Sequence, residues 1–150
     1  MKLPFICRIL ALSLAFIATA TAGGEGWETD LTKAFAMAKE QKKPLLVEFT
    51  GSDWCPPCKM MNKEVFSKEE FLTKAKEKFI LVCIDIPKKD PELTKKNQPL
   101  LQQYKVQGVP AVILFDPEGK EFDRFIASQY ATVETFLAHI NGSLEKMGMD

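Results

Sequence analysis

From Trp27 onward the chain alternates short apolar runs with stretches of helical spacing. Leu31, Ala34, Phe35 and Ala38 fall on one helical face, with Asp30 placed to cap its start. Lys42-Lys43-Pro44 stops that helix, and Leu45-Leu46-Val47-Glu48-Phe49 reads as a buried strand. Gly51-Ser52-Asp53 is turn material. A second helix is expected from Cys58, with Met60, Met61, Val65 and Phe66 available for packing. Ser67-Lys68-Glu69-Glu70 reads as a capping box, Ser67 capping and Glu70 reaching back, for a helix carrying Phe71, Leu72, Ala75 and Phe79. Residues 79–85 form the next apolar run. The polar stretch 87–98 is expected to be a connection, followed by a short helix around 99–104. A third strand over 111–115 turns through Asp116-Pro117-Glu118-Gly119 into a fourth over 120–126. A closing helix over 132–146 buries Val133, Phe136, Leu137, Ile140 and Leu144.

The order helix, strand, helix, helix, strand, helix, strand, strand, helix predicts one α/β domain over 23–150. Such an order suits a mixed sheet of about four strands with helices on both faces. No internal repeat or low-complexity tract interrupts it.

The first residues differ in kind. Lys2 and Arg8 are followed by an uncharged run over 9–22, about 14 residues where a bilayer span needs about 20. The run ends in Ala18-Thr19-Ala20-Thr21-Ala22, with small residues placed for cleavage after Ala20 or Ala22. This is the layout of a secretory signal peptide over 1–22, the alternative being an uncleaved anchor. The expected location is outside the cytoplasm. Losing Lys2 and Arg8 takes the balanced 20 basic and 20 acidic residues to a net charge of about −2. Acidic residues are interspersed among the lysines, so nothing favours nucleic acid as a partner. With 46% hydrophobic and 27% charged residues, the composition is that of a folded domain.

Cleavage would remove Cys7 and leave Cys55, Cys58 and Cys83. A bridge between Cys55 and Cys58 closes too small a loop to constrain the unfolded chain much, so its value is chemical. Zinc would need four ligands, and the cleaved chain has no second cysteine pair and only His139 as histidine. A Cys-x-x-Cys pair at the start of a helix has a physical reason to be reactive. Free backbone N–H groups and the positive helix end stabilise a thiolate at Cys55. Cys55 is then the exposed nucleophile that forms a mixed disulfide with a substrate protein, and Cys58, one turn on and more enclosed, resolves it. Pro56 and Pro57 suit the first helical turn.

Trp54-Cys55-Pro56-Pro57-Cys58-Lys59 and Gly108-Val109-Pro110 ahead of a strand are the motifs on which the chain resembles the thioredoxin-fold family, over roughly 29–146. Thr50-Gly51-Ser52-Asp53-Trp54-Cys55 and Phe115-Asp116-Pro117-Glu118-Gly119-Lys120 resemble its exported bacterial members in particular, which implies a periplasmic location. The resemblance implies a cis Val109–Pro110 bond packed beside Cys55, with Val109 free to pair with substrate. Trp54 would shield the dithiol or touch substrate. It also implies a buried acid behind Cys58. The matching residue is Glu48, seven residues before Cys55 where six is usual. Glu48 is then either the proton partner of Cys58 or a strand-edge acid. Cys83, on a strand expected to be central and at a position where many thioredoxins carry lysine, is a buried structural thiol or a third redox group.

His139 falls opposite the apolar face of the last helix and reads as solvated; Trp27 is expected to pack across the first helix, and Phe122, Phe125 and Tyr130 at the core or its edge. Direction of electron flow is not set by the fold. Potentials in this superfamily span roughly 150 mV. Val109 before Pro110 resembles periplasmic disulfide oxidases, but the segment between Asp85 and Val106 is too short for their helical insertion. A protein-disulfide reductase is the leading expectation, ahead of an oxidase or isomerase and of a redox-inert partner-binding module. It would need no cofactor or metal, act as a monomer on disulfide-bearing proteins, and draw electrons from a membrane-embedded thiol carrier.

Overall fold

The computed structural model describes residues 24–149. The expected signal segment 1–22, with Cys7 and its cleavage positions, lies outside the described residues.

Four strands, β1 (Leu45–Thr50), β2 (Ile80–Asp85), β3 (Ala111–Phe115) and β4 (Glu121–Ile126), form one sheet in the order β2-β1-β3-β4. β1 runs parallel to β2 and antiparallel to β3, and β3 is antiparallel to β4. Helices α1 (Leu31–Gln41) and α4 (Pro91–Gln103) cover one face. Helices α2 (Pro56–Met61), α3 (Glu69–Lys78) and α5 (Val133–Met147) cover the other. This is the mixed sheet with helices on both faces that the element order implies.

Every residue of β1 and β2 is buried, which is why these strands read as continuous apolar runs rather than alternating ones. β2 is an outer strand, so Cys83 does not lie on a central one. Its edge is closed by the chain's own lead-in: Glu28 N–H donates to Leu81 O at 2.8 Å and Cys83 N–H to Glu28 O at 2.8 Å. α1 starts as its sequence implies, Asp30 accepting from Lys33 N–H at 3.0 Å, and ends with Lys42 in the left-handed region at φ 53°.

Four expectations need correction. Residues 87–98 are not a connection: Asp90 caps a helix that starts at Pro91 and runs through Pro99, and its side chain accepts from Leu93 N–H at 3.0 Å. That helix buries little beyond Asn97 and Leu101, so its sequence is polar enough to read as a loop. The capping box at Ser67 does not form. Ser67 Oγ–H donates to Asn62 O at 2.7 Å, closing a π-helical stretch over Asn62–Phe66, while Lys68 takes the cap position and Glu70 pairs with Lys74. Trp27 packs on the opposite side from α1, against Phe66 and Phe71 at ring centroid distances of 5.6 and 6.2 Å. His139 is stacked rather than solvated. Its ring lies 4.0 Å from Tyr130 and 4.4 Å from Phe125, with Nε2 at 3.1 Å from Asp123 Oδ2.

Candidate active site

The segment 51–54 carries the chain from the end of β1 to the dithiol, and side chains pin it to the β2–α4 connection. Ser52 N–H and Oγ–H donate to the two carboxylate oxygens of Asp85 at 2.9 and 2.6 Å. Asp53 accepts from the N–H groups of Lys88 and Lys89 at 2.9 and 2.8 Å, which holds its carboxyl below the usual range. Trp54 Nε1–H donates to Ile86 O at 2.8 Å, and Lys88 Nζ stands 5.3 Å from the ring centre. Gly51 is required here by close approach, since a Cβ would sit 2.4 Å from Cε2 of Trp54. Sequence reasoning missed Asp85 as part of this scaffold; the available signal was a carboxylate closing an otherwise apolar strand.

Cys55 is the N-cap of α2, Pro56 and Pro57 fill the first turn, and Cys58 N–H donates to Cys55 Sγ at 3.3 Å. The two cysteines form a disulfide, with Cα atoms 5.2 Å apart. The expected contrast between an exposed Cys55 and an enclosed Cys58 is not one of area, for they are 3% and 1% exposed. It lies in what each sulfur faces. Cys55 Sγ approaches the carbonyl of Val109 to 3.7 Å, and the Val109–Pro110 bond is cis. Beyond that loop opens a groove of about 670 Å³ lined by Val106, Val109, Ala111, Arg124 and the exposed Ile126.

Cys58 faces inward, onto a cavity of about 140 Å³ shared with Glu48, Thr50, Asn62 and Cys83. Glu48 is not a strand-edge acid, because β1 lies between β2 and β3 and Glu48 is buried. Burial raises its carboxyl from an ordinary 4.5 to about 8; a hydrogen bond with Thr50 opposes this, and the Asp85 charge adds to it. Cys83 pairs with Glu48 across the β1–β2 ladder and remains a free, buried thiol. Burial, then the carboxylates of Glu48 and Asp85, push that thiol well above its ordinary value, which is the setting of an inert side chain. Among the described residues no group of three or more His, Cys, Asp or Glu side chains is arranged to hold a metal ion.

A strand–turn–helix carrying a disulfide at the helix start, faced by an X–Pro loop across from it, defines a class of thiol–disulfide exchange domains. Residues 26–117 match the thioredoxin-like family model, and the chain belongs to that family. It is 38% identical over 101 residues to the disulfide bond reductase DsbH of Chlamydia pneumoniae, covering 65% of this chain and 60% of that one. The thioredoxin-related protein DsbJ of Chlamydia pneumoniae is 35% identical over 101 residues, 65% of this chain and 29% of that protein. For the thiol:disulfide interchange protein DsbD of Escherichia coli K12 the identity is 28% over 105 residues, 70% of this chain and 18% of that protein. The matched segment thus spans less than two thirds of each of these relatives. The solved structure of a DsbH oxidoreductase superimposes with a TM-score of 0.70 at 32% identity, covering 79% of this chain and 83% of that one.

Proposed function

We propose that this protein reduces disulfides of other proteins outside the cytoplasm through Cys55 and Cys58. The observation that carries the reading is the placement of Cys55 Sγ. It sits between the Cys58 N–H at the helix start and the carbonyl of Val109, a residue that also lines the open groove. In the reduced protein the Cys55 thiolate attacks one sulfur of a substrate disulfide, and the other leaves as a thiolate that takes a proton from water. A mixed disulfide on Cys55 results. Cys58 loses its thiol proton to the Glu48 carboxylate and attacks Cys55 Sγ, releasing the second substrate thiol. Two electrons reach the substrate, and the disulfide seen here is the product. Trp54, Val109 and Pro110 border the approach of the substrate segment, where the Val109 backbone offers hydrogen bonds to an extended chain.

Reduction as the direction is supported by the likeness to the disulfide bond reductase DsbH and by the compact connection between β2 and β3. Export is supported by the apolar run over 9–22 and its small-residue end. A chain working there draws electrons through the membrane, so a membrane-embedded thiol carrier is the proposed donor. Equilibration of the Cys55–Cys58 pair with glutathione tests the direction. A potential near about −270 mV is expected of a reductase, whereas one near about −120 mV, the range of strong oxidants, would reverse it. Insulin reduction with dithiothreitol at no more than the background rate would remove the exchange activity itself. Cell fractionation with N-terminal sequencing tests export, the expected first residue being Thr21 or Gly23.

A further inference from the structure

The polar set behind the dithiol contains one carboxylate that the proposed exchange steps do not use. Asp85 closes β2, is 3% exposed, and pairs in register with Thr50, while Cys83 two residues earlier pairs with Glu48. Side chains two apart on a strand share a face, so Glu48, Thr50, Cys83 and Asp85 lie side by side on the face toward α2. Asp85 is fixed from two directions. Ser52 donates both its N–H and its hydroxyl to the carboxylate, and Asn97 Nδ2–H donates to the Asp85 carbonyl at 2.7 Å. Ser52 belongs to the turn that delivers Cys55 and also lines the cavity behind Cys58. No lysine, arginine or histidine forms an ion pair with Asp85 or Glu48 among the described residues.

We propose that Asp85 is a positioning residue of the dithiol, anchoring the turn before Cys55 and, through its unneutralised charge, keeping the proton on Glu48 until Cys58 needs it. The inference rests on the reading of Glu48 as the proton partner of Cys58. The titratable or charged groups around Glu48 are Cys83 and, one pair further along the ladder, Asp85 from β2, and Cys58 and Lys59 from α2, while the rest of the cavity lining is uncharged. Of the two β2 groups, Cys83 is a neutral thiol, which leaves Asp85 as the negative charge on that strand. Two carboxyl groups sharing a water-poor site do not both ionise readily; burial and the neighbouring Asp85 carboxylate together keep the proton on Glu48. The consequence falls on regeneration. When a donor thiolate attacks Cys55 Sγ, the Cys55–Cys58 bond breaks and the electron pair goes to Cys58 Sγ. The proton of the Glu48 carboxyl passes to that sulfur, leaving the Glu48 carboxylate ready to take it back in the resolving step.

The test is Asp85→Asn in the full chain, which removes the charge but keeps both contacts, the amide oxygen accepting from Ser52 N–H and the amide N–H donating to Ser52 Oγ. Carbon-13 NMR follows the Glu48 carboxyl of the oxidised protein. Its midpoint is expected to fall by about one pH unit. The decline with pH in the rate of disulfide reduction by dithiothreitol, expressed per thiolate, moves down by the same amount, and Asp85→Asn has no such effect when added to Glu48→Gln. Ser52→Ala loosens the turn but leaves the charge, so the Glu48 midpoint stays in place. An unmoved midpoint in Asp85→Asn, or an equal displacement in Ser52→Ala, overturns the proposal. If Glu48→Gln alone leaves the rate profile unchanged, the proton-partner reading falls and the proposal with it.

Discussion

The two faces of the sheet are built from the same strands and differ at every second residue. Toward α1 and α4, β1 presents Leu45, Val47 and Phe49 and β2 presents Ile80, Val82 and Ile84, apolar from end to end. Toward α2, α3 and α5 the same strands present Leu46 and Leu81 first, then Glu48 with Cys83 and Thr50 with Asp85. Both faces are buried, so the difference is not solvent. The polar pairs stand at the carboxyl ends of the parallel strands, behind the dithiol and under the turn that presents it. One face contributes packing. The other keeps packing at one end and at its other end accepts buried carboxyl groups, a cost that a purely structural core would avoid.

The largest effect expected of breaking the second face is chemical. Cys55→Ser is expected to lower insulin reduction by about a thousandfold or more, to background, because among the described residues Cys58 faces inward and Cys83 is a buried thiol. Cys58→Ser leaves the attack intact but removes resolution, so mixed disulfides on Cys55 accumulate and are seen on non-reducing gels. Next comes packing at the far end of the same face. Phe136 is fully buried with its ring within 5.2 to 5.5 Å of those of Phe66, Phe71 and Phe125. Phe136→Ala is expected to cost about 3–5 kcal/mol in urea unfolding.

Glu48→Gln sharpens the comparison through pH. The folded protein holds this carboxyl at about 8 against an ordinary 4.5, so the folded state carries more protons than the unfolded one between those values. Wild-type stability from this group is therefore complete below about 4.5 and is lost progressively as pH rises through about 8. Glu48→Gln is expected to be near neutral at low pH and to stabilise by roughly a few kcal/mol above pH 8, read as a melting-temperature difference that grows with pH. The smallest effect belongs to the apolar face. Asp90→Ala removes the cap of α4 and is expected to cost about 1 kcal/mol while leaving the pH profile of disulfide exchange unchanged.

How much of this was legible follows from the range of the interactions concerned. Asp30, the apolar runs of β1 and β3 and the Asp116 turn act within a few residues, and their elements form as the sequence implies. The Asp116 carboxylate accepts from Glu118 and Lys120 N–H at 3.0 and 2.8 Å, a contact written wholly in local sequence. Ser67 shows the limit. Its local pattern is that of a cap, but the preceding helix widens into a π-helical turn and takes its hydroxyl first. α4 was hidden for the opposite reason, since a helix lying on the rim of a sheet needs only a narrow buried stripe. His139 looked solvated because Tyr130 and Phe125, which enclose it, come from outside its helix.

By itself the sequence determined the layered α/β arrangement and the chemistry available at Cys55 and Cys58, since each is carried by periodicity or by adjacent residues, whereas Pro110 facing them was implied by the family resemblance alone. Tertiary structure decided which polar groups stand behind the dithiol. Cys83 and Asp85 lie 35 and 37 residues after Glu48, and only the parallel register of β1 and β2 places the three in one patch. The reason is that a strand's pairing partner and register are chosen by the packing of the whole sheet, so charge can meet charge across distances that no local pattern records.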